Sequence, residues 1–105
     1  MATDWRLLLA EASGFDWDAG NRVKSIAKHQ VACDEAEAVF MNRPLLMLQD
    51  TAHSRDGQRL KAFGRSHTGR LLTISFTLRP PLIRIISARP MNRKERIFYE
   101  ARQTG

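Results

Sequence analysis

Apolar residues in the first 40 positions recur at intervals of three and four, the spacing of helices with one buried side. The pattern predicts a short helix over 3–11, a helix of about eleven residues starting at Asp18, and another over 32–40. Residues 15–17 form a brief extended piece between the first two helices. Three residues of the last of these helices are expected to face the core: Ala36, Val39 and Phe40.

From residue 45 onward the pattern changes to short segments rich in strand-forming residues. Four strands are predicted, over 45–49, 59–66, 71–79 and 82–89. In the third strand apolar and polar residues alternate from Leu72 to Arg79, as a strand with one buried face requires. The preceding link is short and contains Gly69, which can take a positive φ, so the second and third strands should form an antiparallel hairpin.

The last predicted element is a helix that starts at Asn92, where Asn92 and Glu95 can form a capping box. Taken together, the elements predict an α+β fold. Besides the short helix over 3–11, two N-terminal helices and a C-terminal helix would lie on one face of a mostly antiparallel sheet of about four strands. We expect residues 1–105 to form a single domain.

The chain has 105 residues, of which 43% are apolar, enough for one hydrophobic core. No apolar run approaches the roughly 18 residues that would span a bilayer. The first 14 residues lack the features of a signal peptide, so we expect a cytoplasmic protein. Cys33 is the single cysteine and stands beside acidic residues, which favours a structural role over a nucleophilic one.

The net charge of +6 is distributed unevenly along the chain. Residues 1–50 contain five Lys or Arg against eight Asp or Glu, a charge of −3, whereas residues 51–105 contain twelve against three, a charge of +9. A block this basic is typical of proteins that bind a polyanion, because each neutralised phosphate releases counterions. The alternative from composition alone is a solvated basic surface.

The second half also places its basic residues in predicted strands and in the last helix. Lys61 and Arg65 share one side of their strand, and Arg84 and Arg89 lie in the last strand. Arg93, Lys94 and Arg96 follow on the helix. Arginine dominates, and its planar fork matches phosphate bidentately, so the cluster favours a nucleic acid over other anions.

Several kinds of active site are not indicated. His29, His53 and His67 lack the spacing of metal ligands, and the chain has no Cys-x-x-Cys pair. It also lacks a Gly-x-Ser-x-Gly elbow and a glycine-rich phosphate loop. We therefore expect neither a metal nor a cofactor.

RNA cleavage needs none of those groups, because the 2′-OH of RNA can attack the adjacent phosphate once a base removes its proton. The protein then supplies position and positive charge. His29 is a candidate base. Lys28 and Tyr99 are also candidates if cationic neighbours shift their pKa values. The alternative for His29 is a helix-end histidine that interacts with the helix dipole.

Eight short pieces of the chain, spanning about residues 15–101, follow one family pattern in order. They are Phe15-Asp16-Trp17-Asp18, Lys28-His29, Glu35-Ala36 with Val39-Phe40, Asp50 with His53-Ser54, Gly64-Arg65-Ser66, Gly69-Arg70-Leu71-Leu72, Ile83 through Arg89, and Arg93 with Glu95-Arg96 and Tyr99-Glu100. With these pieces the sequence resembles the BrnT family of ribonuclease toxins from type II toxin–antitoxin systems. The strand Arg-Ile-Ile-Ser-Ala-Arg, residues 84–89, is the most specific of them.

The resemblance implies a RelE-like fold and cleavage of mRNA, free or on the ribosome, that arrests translation. It also implies a BrnA-type antitoxin with a ribbon-helix-helix domain, through which alone the complex would contact operator DNA. By position the resemblance implies an active surface of Lys28, His29, Arg65, Arg84, Arg89, Arg96 and Tyr99.

Two departures from the family pattern stand out. Family members usually have glycine after the Lys-His pair, at a helix end that favours positive φ, whereas this chain has Gln30. The local turn must therefore differ or carry strain. Residues 1–14 have no counterpart in the pattern, so we interpret them as an N-terminal extension that could contact a partner.

The leading hypothesis is a ribonuclease in which three arginines bind and stabilise the scissile phosphate: Arg65, Arg84 and Arg89. His29 or Lys28 would act as the base and Tyr99 would orient the substrate. Additional RNA contacts are predicted for Lys61, Arg93 and Arg96. One alternative is a module that binds nucleic acid or an antitoxin without cutting, and another is an inactive family member whose basic face docks an acidic antitoxin segment.

Overall fold

The computed structural model describes residues 12–17, 20, 28–49, 59–79 and 81–103. Its strands and helices are β1 (Gly14–Trp17), α1 (Cys33–Val39), β2 (Leu46–Gln49), β3 (Arg59–Arg65), β4 (Leu71–Arg79), β5 (Leu82–Pro90) and α2 (Arg93–Gln103). The predicted helix over 3–11 and most of the one starting at Asp18 lie outside the described residues. Within the described ranges, neither helix is long and apolar enough to cross a membrane.

The strands form one mixed sheet in the order β1-β5-β4-β3-β2. β1 is parallel to β5, and the other neighbours are antiparallel. The predicted count of about four strands is therefore wrong, and the described residues contain one N-terminal helix, α1, in place of the two predicted, although the α+β class is right. The segment Gly14–Trp17 is too short to show a strand period, and its pairing with β5 makes it the fifth strand.

The main core lies between α1 and one face of the sheet. Its strand residues are Leu60, Ala62, Leu72, Ile74, Phe76, Ile83, Ile85 and Ala88. As predicted, Ala36, Val39 and Phe40 of the 32–40 segment face this core. α1 packs so closely on β3 that a Cβ atom at Gly64 would lie 2.9 Å from Cγ1 of Val39.

A second, smaller core lies on the opposite face, under α2. Phe63, Met91 and Tyr99 are buried there, and the Phe63 and Phe98 rings are 5.9 Å apart. The Tyr99 hydroxyl donates a hydrogen bond of 2.5 Å to the Pro44 carbonyl, which ties α2 to the chain before β2. The expectation of helices on one face is therefore wrong, because α1 and α2 pack on opposite faces.

The predicted turn and cap are confirmed. Gly69 has a φ of +86° in the β3–β4 hairpin. At the start of α2 the Glu95 N–H donates to Asn92 Oδ1 at 2.8 Å, and the Asn92 N–H donates to Glu95 Oε1 at 2.9 Å. These two bonds satisfy backbone groups that the first turn of a helix leaves unpaired.

Gln30 takes the left-handed backbone conformation, which favours the glycine that the family pattern has at this position. Its φ is +54°, and its carbonyl accepts a hydrogen bond of 2.8 Å from Nη1 of Arg70. Arg70 also forms an ion pair of 3.3 Å with Glu35 on α1. The side chain at position 30 therefore strains a backbone that is held in place by the start of β4.

Replacing Gln30 with glycine is expected to raise the free energy of unfolding by about 1 kcal/mol, since relief of left-handed strain exceeds the added entropy of the unfolded chain. The carbonyl that Arg70 binds is unchanged by the substitution. Urea unfolding measures the difference. Gln30→Ala keeps the Cβ and is the control, and an equal gain in both variants would contradict backbone strain as the cause.

Candidate nucleic-acid interface

The side of the sheet opposite the main core carries a patch of polar side chains beside α2. We call this patch the polar face and define it by Asp16, Arg59, Lys61, Ser75, Thr77, Arg84 and Ser87. Its members share a face because each lies opposite another member in the strand register. Among these seven residues three are cationic and one is acidic.

One row of the polar face crosses four strands. Arg59 on β3 pairs with Thr77 on β4, Thr77 pairs with Arg84 on β5, and Arg84 pairs with Asp16 on β1. Adjacent strands are about 4.8 Å apart, so the Cα atoms of Arg59 and Arg84 lie roughly 10 Å apart on either side of Thr77. Arg84 Nη1 is 3.6 Å from Asp16 Oδ2.

The second row contains Lys61, Ser75 and Ser87. Between the two rows, the pairing shifts from Ser75–Ser87 to Phe76–Ile85, which leaves Ile86 as the extra residue of a β-bulge. Arg84 and Arg89 are an odd number of residues apart, so a regular strand would place them on opposite faces. The bulge puts both on the side of the sheet that carries the polar face.

Arg89 is held by Glu95 at the border between the polar face and α2. Its Nη1 and Nη2 atoms donate to the two Glu95 oxygens at 2.7 and 2.8 Å. Thr73 Oγ1 and the Asn92 N–H also donate to Glu95, at 3.0 and 2.9 Å. The hydrogen bond to Glu95 raises the pKa of Arg89. The Arg89 guanidinium therefore has a structural role, as the partner of Glu95 in an ion pair.

The same contacts act on Glu95. Burial alone would raise the pKa of its carboxyl group, but the hydrogen bonds from Arg89, Asn92 and Thr73, together with the charge of Arg89, lower the pKa below its ordinary value. A lowered pKa stabilises the folded state above the unfolded-state pKa of about 4.3, and this contribution is lost as the pH falls through the lowered folded-state value.

We therefore expect wild-type stability to decline below about pH 4 more steeply than that of Glu95→Gln, which has no carboxyl group to titrate there. Urea unfolding at a series of acidic pH values measures the two slopes. Glu100→Gln, on the exposed side of the same helix, should keep the wild-type slope. Parallel curves for wild type and Glu95→Gln would contradict the assignment.

The predicted site residues do not gather in one place. Arg65 lies opposite Leu71 at the hairpin end of the sheet, whereas Arg84 lies opposite Thr77, six residues further along β4. At about 3.3 Å per residue, these positions are roughly 20 Å apart. Arg65 is also separated from Lys61 by Phe63, which Phe98 of α2 covers. The structure thus does not bring Arg65, Arg84 and Arg89 around one phosphate.

The candidate bases belong to the hairpin end as well. Lys28 is exposed and His29 partly buried, and both directly precede Gln30, whose carbonyl is bound by Arg70 next to β4. His67, in the hairpin itself, is exposed, and His53 lies outside the described residues. The structure therefore places Lys28 and His29 near Arg70 at the hairpin end of the sheet, away from Arg84.

The remaining candidates lie on α2. Tyr99 is fully buried with its hydroxyl bound to Pro44, so its side chain is part of the second core. Arg93 and Arg96 are exposed on the first turns of α2, which begins where β5 ends. Their positions are compatible with contact to a ligand that extends beyond the polar face.

Two polar-face residues were missed by the sequence analysis, Arg59 and Asp16. Arg59 precedes Lys61 by two residues, so strand alternation alone could have placed it on the same side. Asp16 carried no comparable signal, because its neighbour Arg84 is reached only through the parallel pairing of β1 with β5.

Comparison with known proteins gives one family and one fold. The family model described as "Ribonuclease toxin, BrnT, of type II toxin-antitoxin system" matches residues 17–95. The chain is similar to the crystal structure of the Brucella abortus ribonuclease toxin BrnT, with a TM-score of 0.57 and 22% sequence identity. That match covers 76% of this chain and 97% of the Brucella chain. No curated protein matches the chain.

Proposed function

The chain belongs to the BrnT family of ribonuclease toxins from type II toxin–antitoxin systems, and from this premise we propose that it is a metal-independent endoribonuclease whose polar face binds the scissile phosphate. A toxin of this class acts on RNA and is paired with an antitoxin.

The row Arg59–Thr77–Arg84 is the observation that carries the proposal. A phosphate above Thr77 has one arginine on each side, and each arginine side chain is long enough to cross the single strand spacing of about 4.8 Å. Thr77 Oγ1 is buried and, within the part of the chain that the structure describes, has no hydrogen-bond partner. Buried hydroxyl groups normally have one, so the hydroxyl can donate to a phosphate oxygen once the side chains that cover it move aside.

The proposed reaction uses the 2′-OH of the substrate as nucleophile. The 2′ oxygen attacks the adjacent phosphorus, the bond from phosphorus to the 5′ oxygen breaks, and the products end in a 2′,3′-cyclic phosphate and a 5′-OH. Arg59 and Arg84 stabilise the negative charge that grows on the non-bridging oxygens. One such preorganised donor is worth about 100-fold to 1,000-fold in rate.

We assign the other cationic groups to RNA binding on either side of this row. Lys61 lies in the adjacent row, and Arg93 and Arg96 lie beyond it on α2. Lys28, His29 and Arg65, at the hairpin end, would contact a neighbouring stretch of the RNA strand. Arg65 lies roughly 20 Å from Arg84, and Arg70 binds the Gln30 carbonyl next to His29 at that same end of the sheet, so we do not assign His29 or Lys28 as the base.

The test is to incubate the purified protein with a labelled RNA oligonucleotide in excess EDTA. The proposal expects cleavage to a 2′,3′-cyclic phosphate, and a single 2′-deoxy substitution at the cut site should block it. Loss of cleavage on chelation would contradict metal independence. RNA that is retarded on a gel but stays intact would favour a binding module.

We further propose that cleavage arrests translation in the cytoplasm and that a BrnA-type antitoxin with a ribbon-helix-helix domain neutralises the protein. Induction of the chain alone should then stop growth, and co-expression with the neighbouring reading frame should restore it. Unaltered growth on induction of a soluble, folded chain would favour an inactive family member. A neighbouring frame that encodes no such protein would contradict the antitoxin assignment.

A further inference from the structure

We propose that the Asp16 carboxylate is the general base that removes the 2′-OH proton. This inference rests on the proposed function, because it assigns a role at the phosphate site formed by Arg59 and Arg84. Two observations carry it: the position of Asp16 in the same row as the two arginines, and the long ion pair to Arg84, which is the contact that the described residues make with its oxygens.

Asp16 reaches the polar face through the parallel register of β1 with β5, which sets it directly beside Arg84. The Asp16 side chain is 39% exposed and that of Arg84 is 33% exposed, so part of each lies on the surface. At 3.6 Å the pair is an ion pair but too long for a hydrogen bond. Arg84 thus orients the carboxylate without occupying it, and a 2′-OH can bind between the base and the phosphate.

The other described groups are less suited to the task. Both Glu95 oxygens already accept hydrogen bonds from Arg89, and one of them accepts two more. Glu37, which accepts a hydrogen bond of 2.8 Å from Trp17 Nε1, belongs to α1, on the other side of the sheet. His29 directly precedes Gln30, whose carbonyl is bound by Arg70 at the hairpin end of the sheet, away from the Arg59–Arg84 row.

Among the described residues, the charged groups that face Asp16 are cationic. They are Arg84 on β5, Arg59 two strands further along the same row, and Lys61 in the next row. They favour binding of a phosphate next to Asp16, so the substrate's 2′-OH is brought to the carboxylate by the same contacts that hold the reacting phosphorus.

The proton and bond changes balance without another reagent. One Asp16 oxygen takes the proton of the 2′-OH as the 2′ oxygen bonds to phosphorus, and the bond to the 5′ oxygen breaks. The departing 5′ oxygen takes a proton from water, and the hydroxide that remains is neutralised by the proton held on Asp16. The carboxylate is thereby restored for the next turnover.

Asp16→Asn tests the role, because asparagine is nearly isosteric but a much weaker base. We expect the single-turnover cleavage rate to fall by about 100-fold, the lower end of the range for a lost general base, while RNA affinity changes little. The rise in wild-type rate with pH on the acid side should be absent from Asp16→Asn. Asp16→Glu, which keeps a carboxylate, should retain that rise at a reduced rate.

Asp34→Asn is the matched control, since Asp34 is an exposed carboxylate on α1 and its loss changes the net charge equally. It should cleave and titrate as wild type does. Wild-type cleavage with an unchanged rate and pH profile in Asp16→Asn would overturn the role of Asp16 and leave the ribonuclease intact. If the wild-type protein does not cleave RNA, both the ribonuclease assignment and the role of Asp16 are overturned. If Asp16→Asn does not fold, a cleavage rate of Asp16→Glu that does not change with pH overturns the role of Asp16.

Discussion

Replacing Arg84 with alanine is expected to lower the rate of RNA cleavage by about 100-fold or more, since it removes a preorganised cation from beside the reacting phosphate. The guanidinium is partly exposed in the middle of the polar face, next to Thr77 and Asp16. Single-turnover cleavage of a labelled RNA measures the loss. Because the side chain packs in neither core, circular dichroism should show an unchanged fold.

Two further variants separate position from charge. Lys94→Ala removes the same charge from an exposed position on α2 and should cleave close to the wild-type rate. Arg84→Lys keeps the charge but loses the planar fork that matches phosphate, so we expect a partial loss. If Arg84→Ala cleaves as fast as Lys94→Ala, the phosphate does not bind on the row that we propose.

Replacing Glu95 with alanine is expected to lower the free energy of unfolding by about 3 kcal/mol, because a partly buried ion pair and its hydrogen bonds are lost together. The Glu95 side chain is only 14% exposed and accepts four hydrogen bonds, two of them from Arg89. Its loss leaves the Arg89 guanidinium and the first backbone N–H of the α2 cap without their acceptor.

Urea unfolding followed by tryptophan fluorescence measures this effect, because Trp17 lies in β1 of the same sheet. Glu100→Ala is the matched control on the same helix, where an exposed glutamate should change stability by no more than about 0.5 kcal/mol. Equal stabilities for the two variants would show that the Arg89–Glu95 pair contributes nothing beyond a surface ion pair.

The strands and the family could be predicted from the sequence, because both depend on the order of residues along the chain. β2 to β5 fall within one residue of their predicted bounds, since alternation is a property of each strand taken alone. The turn at Gly69 and the Asn92–Glu95 cap were also predicted, because each depends on residues that are close together in sequence. The resemblance to the BrnT family is confirmed by the family model over residues 17–95.

The grouping of the site residues was not accessible in this way. The prediction treated Arg65, Arg84 and Arg89 as neighbours because all three are basic and lie in strands. In the sheet, Arg65 and Arg84 lie at opposite ends, and α2 packs on Phe63 between Arg65 and Lys61. Tyr99 was predicted to orient the substrate, but its helical position turns it into the second core.

The order of residues along the chain thus determines the strands, the hairpin and the helix cap. The composition shows the excess of arginine in the second half of the chain. Long-range pairing accounts for the site: β1 joins β5 in parallel and brings Asp16 beside Arg84, and the bulge at Ile86 turns Arg84 and Arg89 to the same side. β1 and β5 are far apart in sequence, so no short stretch of the chain contains both Asp16 and Arg84, and the bulge is set by the pairing of β5 with β4 and not by alternation within β5.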